Sequence, residues 1–263
     1  MLELNKIYQG DCTELMKSLP TESVDLIIAD PPYYTTQWKT KQNWGDQVAE
    51  LAGIKNIASF KADWDIFASE KDYQEFIGKW ITEARRILKP KGTIFIHCIL
   101  TGEWLGITNI VSALRKNEFK LLNLISWCKP NGQPNLAGVR FSFSTEQIIW
   151  AGKEGEGKRI FNYQRLKELN NDVQMRDFWI MPTEPSQYDH PSPKPIKLAR
   201  LMIEACSNKD SLVCDPFVGS GTTAVAAKQL GRNFIGFEIN PDYIKIAEQR
   251  LAQDTLLGFE NGV

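Results

Sequence analysis

The four residues Asp30-Pro31-Pro32-Tyr33 have the types and spacing needed for chemistry on an aromatic amino group. Such a group is a poor nucleophile, and it has two hydrogens that the Asp30 carboxylate and the Pro31 backbone carbonyl can accept. That arrangement would hold the nitrogen in line with an activated methyl group and favour its pyramidalisation. The prolines stiffen the corner, and the Tyr33 ring can stack on an extruded base. The motif predicts amine methylation. The alternative is a turn that ends a strand and whose aromatic side chain only fills space.

A glycine-rich turn is the second motif. Gly219 and Gly221 allow the backbone to turn tightly and to approach a ligand closely. Glu238 follows at the end of the next predicted strand, where its carboxylate can accept hydrogen bonds from both ribose hydroxyls of a nucleoside cofactor. On this motif alone NAD and S-adenosylmethionine both remain possible, and so does a turn that only packs a helix on a strand. The full motif is Asp215-Pro216-Phe217-Val218-Gly219-Ser220-Gly221-Thr222-Thr223.

Alternating strand and helix patterns must position these motifs. The apolar run 24–29 predicts a buried strand that the two prolines end. Residues 72–89 have helical spacing, and Pro90 and Gly92 are expected to stop this helix before a strand over 93–97. Further helices are predicted near 104–116, 194–207, 221–230 and 241–252, and further strands near 121–127, 145–151, 211–215 and 233–238. This order predicts an α/β fold with a parallel sheet covered by helices. Residues 34–63 and 152–190 match neither period.

The composition is that of an ordinary globular protein. The 263 residues carry a net charge of −1 and are 43% apolar, which excludes general disorder. The sequence shows neither a signal peptide nor an apolar run of about 18 residues, so we predict a cytoplasmic protein without a membrane segment. The five cysteines are scattered and only two histidines are present, so no metal site is predicted. No cysteine follows a proline, which argues against covalent attack on cytosine C5.

The two motifs, in this order along the chain, resemble the β group of DNA amino-methyltransferases over nearly the whole length. The resemblance implies a Rossmann-like methyltransferase fold with helices on both faces of a mostly parallel sheet, a circularly permuted motif order and an inserted target-recognition region. It also implies S-adenosyl-L-methionine as cofactor, S-adenosyl-L-homocysteine as product, no metal, and methylation of adenine N6 in double-stranded, possibly also single-stranded, DNA of the prokaryotic cytoplasm. Asp30 favours adenine because the cytosine N4 enzymes more often have Ser there, and N4 methylation stays open as the alternative.

The resemblance extends to further segments and to partners. Gly10-Asp11-Cys12 resembles the family turn near the cofactor adenine, and His190–Pro195 resembles the element in which Lys194 contacts the methionine end. Pro193 departs from the family pattern, which commonly has Gln or Glu there. A restriction-modification system is implied, with a cognate endonuclease as functional partner and a possible homodimer. The implied cofactor-binding residues are Asp11, Cys12, Asp30, Lys194, Asp215, Pro216, Phe217, Gly219, Ser220, Gly221, Thr222, Thr223, Glu238 and Asn240.

A basic region predicts where DNA would bind. Residues 115–168 contain ten Lys or Arg and five Glu, a net of +5, against −1 for the whole chain. A solvated surface is the alternative for any single charge, but the regional asymmetry suits phosphate contacts. Residues 1–151 are interpreted as the catalytic half, with a mobile loop over 34–63; 152–189 as the target-recognition insertion; and 190–263 as the cofactor-binding half. The predicted DNA contacts are Lys39, Lys41, Lys129, Arg140, Lys158, Arg159, Arg165 and Arg176.

Two functions from other classes remain to be weighed. A nicotinamide-dependent dehydrogenase would use the same glycine turn, but it leaves Asp30-Pro-Pro-Tyr33 and the basic region without a role. A catalytically silent DNA-binding module would bind duplex DNA and transfer no methyl group.

Overall fold

Eight strands form one sheet in a computed structural model, which describes residues 2–34, 65–99, 105–132, 141–154, 158–183 and 194–257. Short apolar runs supply most of the strands, because a strand covered on both faces needs apolar residues at nearly every position. The strands are β1 (Lys6–Gln9), β2 (Val24–Ala29), β3 (Leu88–Cys98), β4 (Phe119–Cys128), β5 (Thr145–Lys153), β6 (Phe178–Ile180), β7 (Leu212–Asp215) and β8 (Asn233–Glu238). Their order in the sheet is β1-β8-β7-β2-β3-β5-β4-β6.

One strand of this sheet runs against the others. β5 pairs antiparallel with β3 and β4, whereas the remaining neighbours pair in parallel. The carboxyl ends of the seven other strands therefore lie at the same edge as the amino end of β5. Ligands of open α/β sheets bind at this edge. Asp30, Asp215, Glu238 and Glu146 all lie there.

Helices cover both faces of the sheet, as predicted. The helices are α1 (Cys12–Leu15), α2 (Glu70–Ile87), α3 (Leu105–Lys116), α4 (Tyr163–Leu169), α5 (Ile196–Cys206), α6 (Thr222–Gln229) and α7 (Pro241–Leu257), and a 3₁₀ turn spans Met16–Ser18. Side chains alternate along β2, so that Ile27 and Ala29 pack under α1, α2 and α3 while Leu26 and Ile28 pack under α4, α5 and α6. None of the helices in these ranges has the length and apolar content to cross a membrane.

Helix α2 shows how local sequence sets an element. The Ser69 hydroxyl accepts a hydrogen bond from the Asp72 backbone N–H (3.2 Å), which caps the helix start. Its apolar stripe is fully buried against the sheet through Tyr73, Ile77 and Trp80, among others. The helix ends at Ile87, two residues before the predicted end.

The structure corrects the sequence interpretation at several places. β3 begins at Leu88 and includes Pro90, which was expected to lie between helix and strand. Pro90 is tolerated because β5 pairs with β3 only from Thr93 onward, and the pairing of β2 with β3 is irregular there. Segment 152–190 contains α4 and β6, although it matched neither period. Leu166 is the buried residue of α4, and β6 has three residues, so neither is long enough to show a pattern.

Candidate active site

The Asp30 carboxylate lies directly after β2, on the strand-ending corner. Its Oδ1 accepts a hydrogen bond from the Tyr33 hydroxyl, and its Oδ2 accepts one from Lys194 Nζ at 2.7 Å. The side chain is 30% exposed. Burial is the largest single influence and favours the neutral acid, but the opposing effects, of which the Lys194 ammonium is the largest, together outweigh it and hold the pKa of Asp30 below its ordinary value. Asp30 is therefore an ionised acceptor at neutral pH.

The backbone of this corner is fixed by the tyrosine that follows the motif. Tyr34 has a φ of 58°, which is rare for a bulky residue. Its backbone N–H donates to Asp65 Oδ1 (2.6 Å), and its ring stacks on Tyr73 with 5.1 Å between centroids. The Tyr73 hydroxyl in turn donates to the Pro32 carbonyl at 3.1 Å. Helix α2 thus clamps the corner and sets the direction of Tyr33.

Lys194 joins the Asp30 corner to a second carboxylate. It lies just before α5, with its side chain 11% exposed, and its Nζ is 3.7 Å from Oε2 of Glu146. The other Glu146 oxygen accepts a hydrogen bond from Lys129 Nζ at 2.9 Å. Burial would lower the pKa of Lys194, but Asp30 and Glu146 together raise it, so the amine stays charged. His97 is buried beside these groups, and burial lowers its pKa to about 4, which leaves it neutral.

A third carboxylate, that of Glu238, is bound by the glycine turn. Gly219 and Gly221 have φ values of 51° and 86°, the left-handed region that glycine adopts without strain. The Gly219 and Asn240 backbone N–H groups each donate to one Glu238 oxygen at 2.8 Å. Burial raises the pKa of Glu238, which is 8% exposed. A Cβ on Gly221 would lie 2.7 Å from that of Ala247 in α7, so this close approach also requires glycine.

The remaining predicted cofactor residues surround this turn. The Gly10 N–H donates to the Glu238 carbonyl (2.9 Å), which places the Asp11 turn beside it, and Asp11 caps α1 by accepting from the Thr13 N–H at 2.7 Å. Asp215 accepts from the Phe217 N–H at 2.9 Å, and burial raises its pKa to about 7. Burial also raises the pKa of the Cys12 thiol, which packs in the core.

Contacts of three residues, Thr222, Ser220 and Phe217, connect the glycine turn to other parts of the structure. The Thr222 hydroxyl donates to the Lys194 carbonyl at 3.2 Å, so the turn and the lysine are tied together through the backbone. The Arg250 guanidinium donates to the Ser220 carbonyl (2.7 Å) and hydroxyl (2.9 Å). The Phe217 ring packs edge-on against Trp80 at 5.4 Å. The part of the chain that the structure describes contains no cluster of three or more potential metal ligands.

The predicted DNA contacts have different surroundings. Lys129 is paired with Glu146, and Arg165 donates to Glu204 at 2.9 Å. Arg159 lies across Gly152 and donates to the Lys153 carbonyl at 2.7 Å. Lys158 and Arg176 are exposed. Lys39, Lys41 and Arg140 lie outside the described residues, and so does the predicted mobile loop 34–63 apart from Tyr34.

Sequence reasoning did not assign a role to three residues that complete the site. Glu146 lies near the start of a strand whose centre is apolar, and segment 146–150 was interpreted only as resembling a family segment that leads into target recognition. Tyr73 belongs to the apolar stripe of α2, so its hydroxyl gave no sign of a partner in the motif. Arg250 lies in the last helix and has no motif around it.

Comparisons with known proteins define the class. A solved complex of the methyltransferase M1.HpyAVI with S-adenosylmethionine shares the fold with a TM-score of 0.64 and 27% identity, over 94% of this chain and 98% of that one. The Moraxella bovis type II methyltransferase M2.MboI is 37% identical over 95% of this chain and 88% of its own length. The Streptococcus pneumoniae type II methyltransferase M2.DpnII is 38% identical over 93% and 88%, respectively. The fold and the sequence are therefore those of a DNA methyltransferase.

The family follows from a match to a family model. Residues 24–249 match the model of the DNA methylase family that comprises N6 and N4 methyltransferases. The chain therefore belongs to this DNA methylase family, which confirms the resemblance and the Rossmann-like fold predicted from the sequence.

Proposed function

We propose that this chain transfers a methyl group from S-adenosyl-L-methionine to the N6 amino group of adenine at specific sites in DNA. The observation that carries the proposal is the ionised Asp30 at a clamped proline corner next to the glycine turn. β2 and β7 are neighbouring strands, with Ile27 paired to Cys214, so the Asp30 corner and the turn after Asp215 leave the sheet side by side. An acceptor for an amine and a nucleoside pocket are thus adjacent.

The residues around the glycine turn fit S-adenosylmethionine. Each Glu238 oxygen already accepts one backbone N–H, and each has a further lone pair that a ribose hydroxyl can use. The Asp11 turn abuts Glu238 and would contact the adenine, while Lys194 would contact the methionine carboxylate. When bound, the cofactor supplies a sulfonium methyl group, whose transfer to the amine leaves S-adenosylhomocysteine and releases a proton. A group with this reactivity requires no metal.

The chain's own side chains would position the target nitrogen. The ionised Asp30 oxygen and the Pro31 carbonyl would accept its two hydrogens, which directs its lone pair toward the methyl group. The Tyr33 hydroxyl donates to Asp30 and keeps its proton, because burial and the Asp30 charge raise its pKa well above the ordinary value. Tyr33 would therefore orient the carboxylate while its ring stacks on the extruded adenine.

The proposal extends to DNA recognition and partners. We assign target recognition to residues 152–189, in which Lys158 and Arg176 are exposed, and closure over the extruded base to the loop 34–63. Because the relatives M2.MboI and M2.DpnII are type II methyltransferases, we infer that the protein acts in a prokaryotic cytoplasm as the modification enzyme of a restriction-modification system. A cognate endonuclease would be its functional partner. The chain would form a homodimer, which sedimentation of the purified protein tests.

Analysis of the methylated product tests the reaction. The protein is incubated with unmethylated duplex DNA and labelled S-adenosylmethionine, and the DNA is digested to nucleosides for mass spectrometry. We expect N6-methyldeoxyadenosine at one short sequence. N4-methyldeoxycytidine would favour the alternative within the family, and label on no base at all would overturn the proposal.

A further inference from the structure

Four side chains of alternating charge form a continuous row at the sheet edge. Asp30 contacts Lys194 at 2.7 Å, Lys194 lies 3.7 Å from Glu146, and Glu146 contacts Lys129 at 2.9 Å. The side chains of Lys194, Glu146 and Lys129 are 11, 13 and 15% exposed, so these charges are largely removed from water. They come from four separate elements: the end of β2, the segment before α5, the start of β5 and the residue after β4.

One oxygen in this row is without a hydrogen-bond donor. Glu146 Oε2 is buried and accepts no hydrogen bond from any residue in the described ranges, while Oε1 is bound by Lys129. The 3.7 Å separation of Oε2 and Lys194 Nζ is 0.8 Å longer than the 2.9 Å contact that Lys129 makes with Oε1. A small rotation of the Lys194 side chain would close that gap. Lys129 meanwhile keeps the Glu146 carboxylate from turning away.

The row conflicts with the arrangement that methyl transfer needs. Asp30 Oδ2 accepts from the Lys194 ammonium and Oδ1 from Tyr33, and a cation in direct contact with Asp30 competes with the target amine for the negative charge of the carboxylate. A buried ammonium that moves off Asp30 loses its compensating charge unless other anions lie beside it. Besides the methionine carboxylate of the bound cofactor, the described residues offer Glu146 as a protein anion within reach of Lys194.

We propose that Glu146 is a positioning residue that receives the Lys194 ammonium when the target amino group takes its place on Asp30. Glu146 touches neither the base nor the methyl group and acts through Lys194. The uncharged His97 cannot serve this purpose, and Glu146 is the second anion that contacts Lys194. This inference rests on the proposed function, since it assigns a role within the same site.

Substitution of Glu146 by glutamine tests whether the Lys194 ammonium moves from Asp30 to Glu146. Glu146→Gln keeps the size of the side chain but removes its charge, so Lys194 stays on Asp30 and competes with the amine. We expect kcat/KM for DNA at saturating cofactor to fall about 30-fold, because a buried cation loses its second partner. The dissociation constant for S-adenosylmethionine, from calorimetry, is expected to change less than about threefold, since Glu238, the Asp11 turn and Lys194 all remain in the chain.

The same substitution in a Lys194→Gln protein distinguishes a positioning role of Glu146 from a purely structural one. In a Lys194→Gln protein no ammonium occupies Asp30, so Glu146→Gln is expected to lower the residual kcat/KM less than about threefold further. The same loss in both backgrounds would mean that Glu146 acts only on stability, and it would overturn the inference. No loss from Glu146→Gln in the wild-type background would overturn it as well.

Two further variants keep the test decisive. Lys153 at the other end of β5 is 5% exposed and pairs with Glu22 at 3.1 Å, so Glu22→Gln is the matched control and is expected to leave kcat/KM unchanged. If Glu146→Gln does not fold, Glu146→Asp retains a charge for Lys129 but shortens the reach to Lys194, and a loss in the same direction is expected. A wild-type protein that methylates no DNA would refute the proposed function. An active wild type whose Glu146 variants keep the same kcat/KM would refute only this inference.

Discussion

Two carboxylates at the same sheet edge are held in opposite ways. Glu238 is bound by backbone N–H groups of Gly219 and Asn240, both at 2.8 Å. Asp30 is bound by two side chains, the Tyr33 hydroxyl and the Lys194 ammonium at 2.7 Å. Backbone donors are fixed by the fold, whereas a lysine can rotate away. The proposed cofactor half of the site would thus be formed in advance, and the proposed target half would be in a resting arrangement that substrate must change.

The pKa shifts of the carboxylates also differ between the two halves. Burial raises the pKa values of Glu238 and Asp215, because backbone dipoles compensate a charge only in part. Lys194 lowers the pKa of Asp30 although burial acts in the other direction. Substitutions in one half of the site are therefore expected to leave the other half unaffected.

Removal of the Asp30 carboxylate is expected to break only the target half. Asp30→Ala deletes the acceptor that aligns the amine, so kcat is expected to fall by about a thousandfold or more. The dissociation constant for S-adenosylmethionine is expected to stay within about threefold, because Glu238 and its backbone donors are unaffected. Single-turnover methylation and calorimetry measure the two quantities. Near-normal transfer would refute the role of Asp30.

Glu238→Ala is the converse experiment on the cofactor half. The loss of a charged acceptor for the ribose hydroxyls is worth about 1.5–3 kcal/mol, so cofactor affinity is expected to weaken about 10- to 150-fold. The rate at saturating cofactor should change far less. Calorimetric titration checks the affinity, and an unchanged dissociation constant would mean that Glu238 does not contact the ligand.

Two substitutions of Tyr33 sharpen the distinction between its ring and its hydroxyl. Tyr33→Phe keeps the ring but removes the hydrogen bond to Asp30, which is worth about 1 kcal/mol, so a loss of about fivefold in kcat is expected. Tyr33→Ala also removes the stacking surface, and a loss of about a hundredfold is expected. Equal losses for both variants would show that stacking does not contribute.

The last prediction concerns the free energy of unfolding and its pH dependence, with no change in activity involved. The pKa of Asp215 is about 7 in the folded protein against an ordinary 3.8, so the native state holds the extra proton between these values. The free energy of unfolding therefore decreases as pH rises through this window, by up to about 1.4 kcal/mol per pH unit. Asp215→Asn removes this dependence. Urea unfolding at pH 5, 6 and 7 should show the variant gaining on the wild type as pH increases, and parallel curves would contradict the assignment.

The sequence predicted the strands that end at the two motifs, because apolar runs and prolines are local signals. Strand β2 was predicted with its observed bounds, and the Asp30 corner and the glycine turn lie where the pattern placed them. The contact between Lys194 and Glu146 could not be predicted, because it depends on the direction of β5. A parallel β5 would have put Glu146 at the far edge of the sheet, and no local pattern distinguishes the two directions. The hydroxyl of Tyr73 was hidden for a related reason, since apolar spacing assigns it to the core.

The position of β2 in the sheet has a consequence for synthesis on the ribosome. β2 pairs with β7 through Ile27 and Cys214, and β1 pairs with β8, so both early strands await partners made near the other end of the chain. The β3-β5-β4 portion has its pairing strands closer in sequence and can assemble first. A nascent chain that ends before β7 would therefore expose one side of β2, and we expect it to depend on chaperones until translation reaches the last two strands.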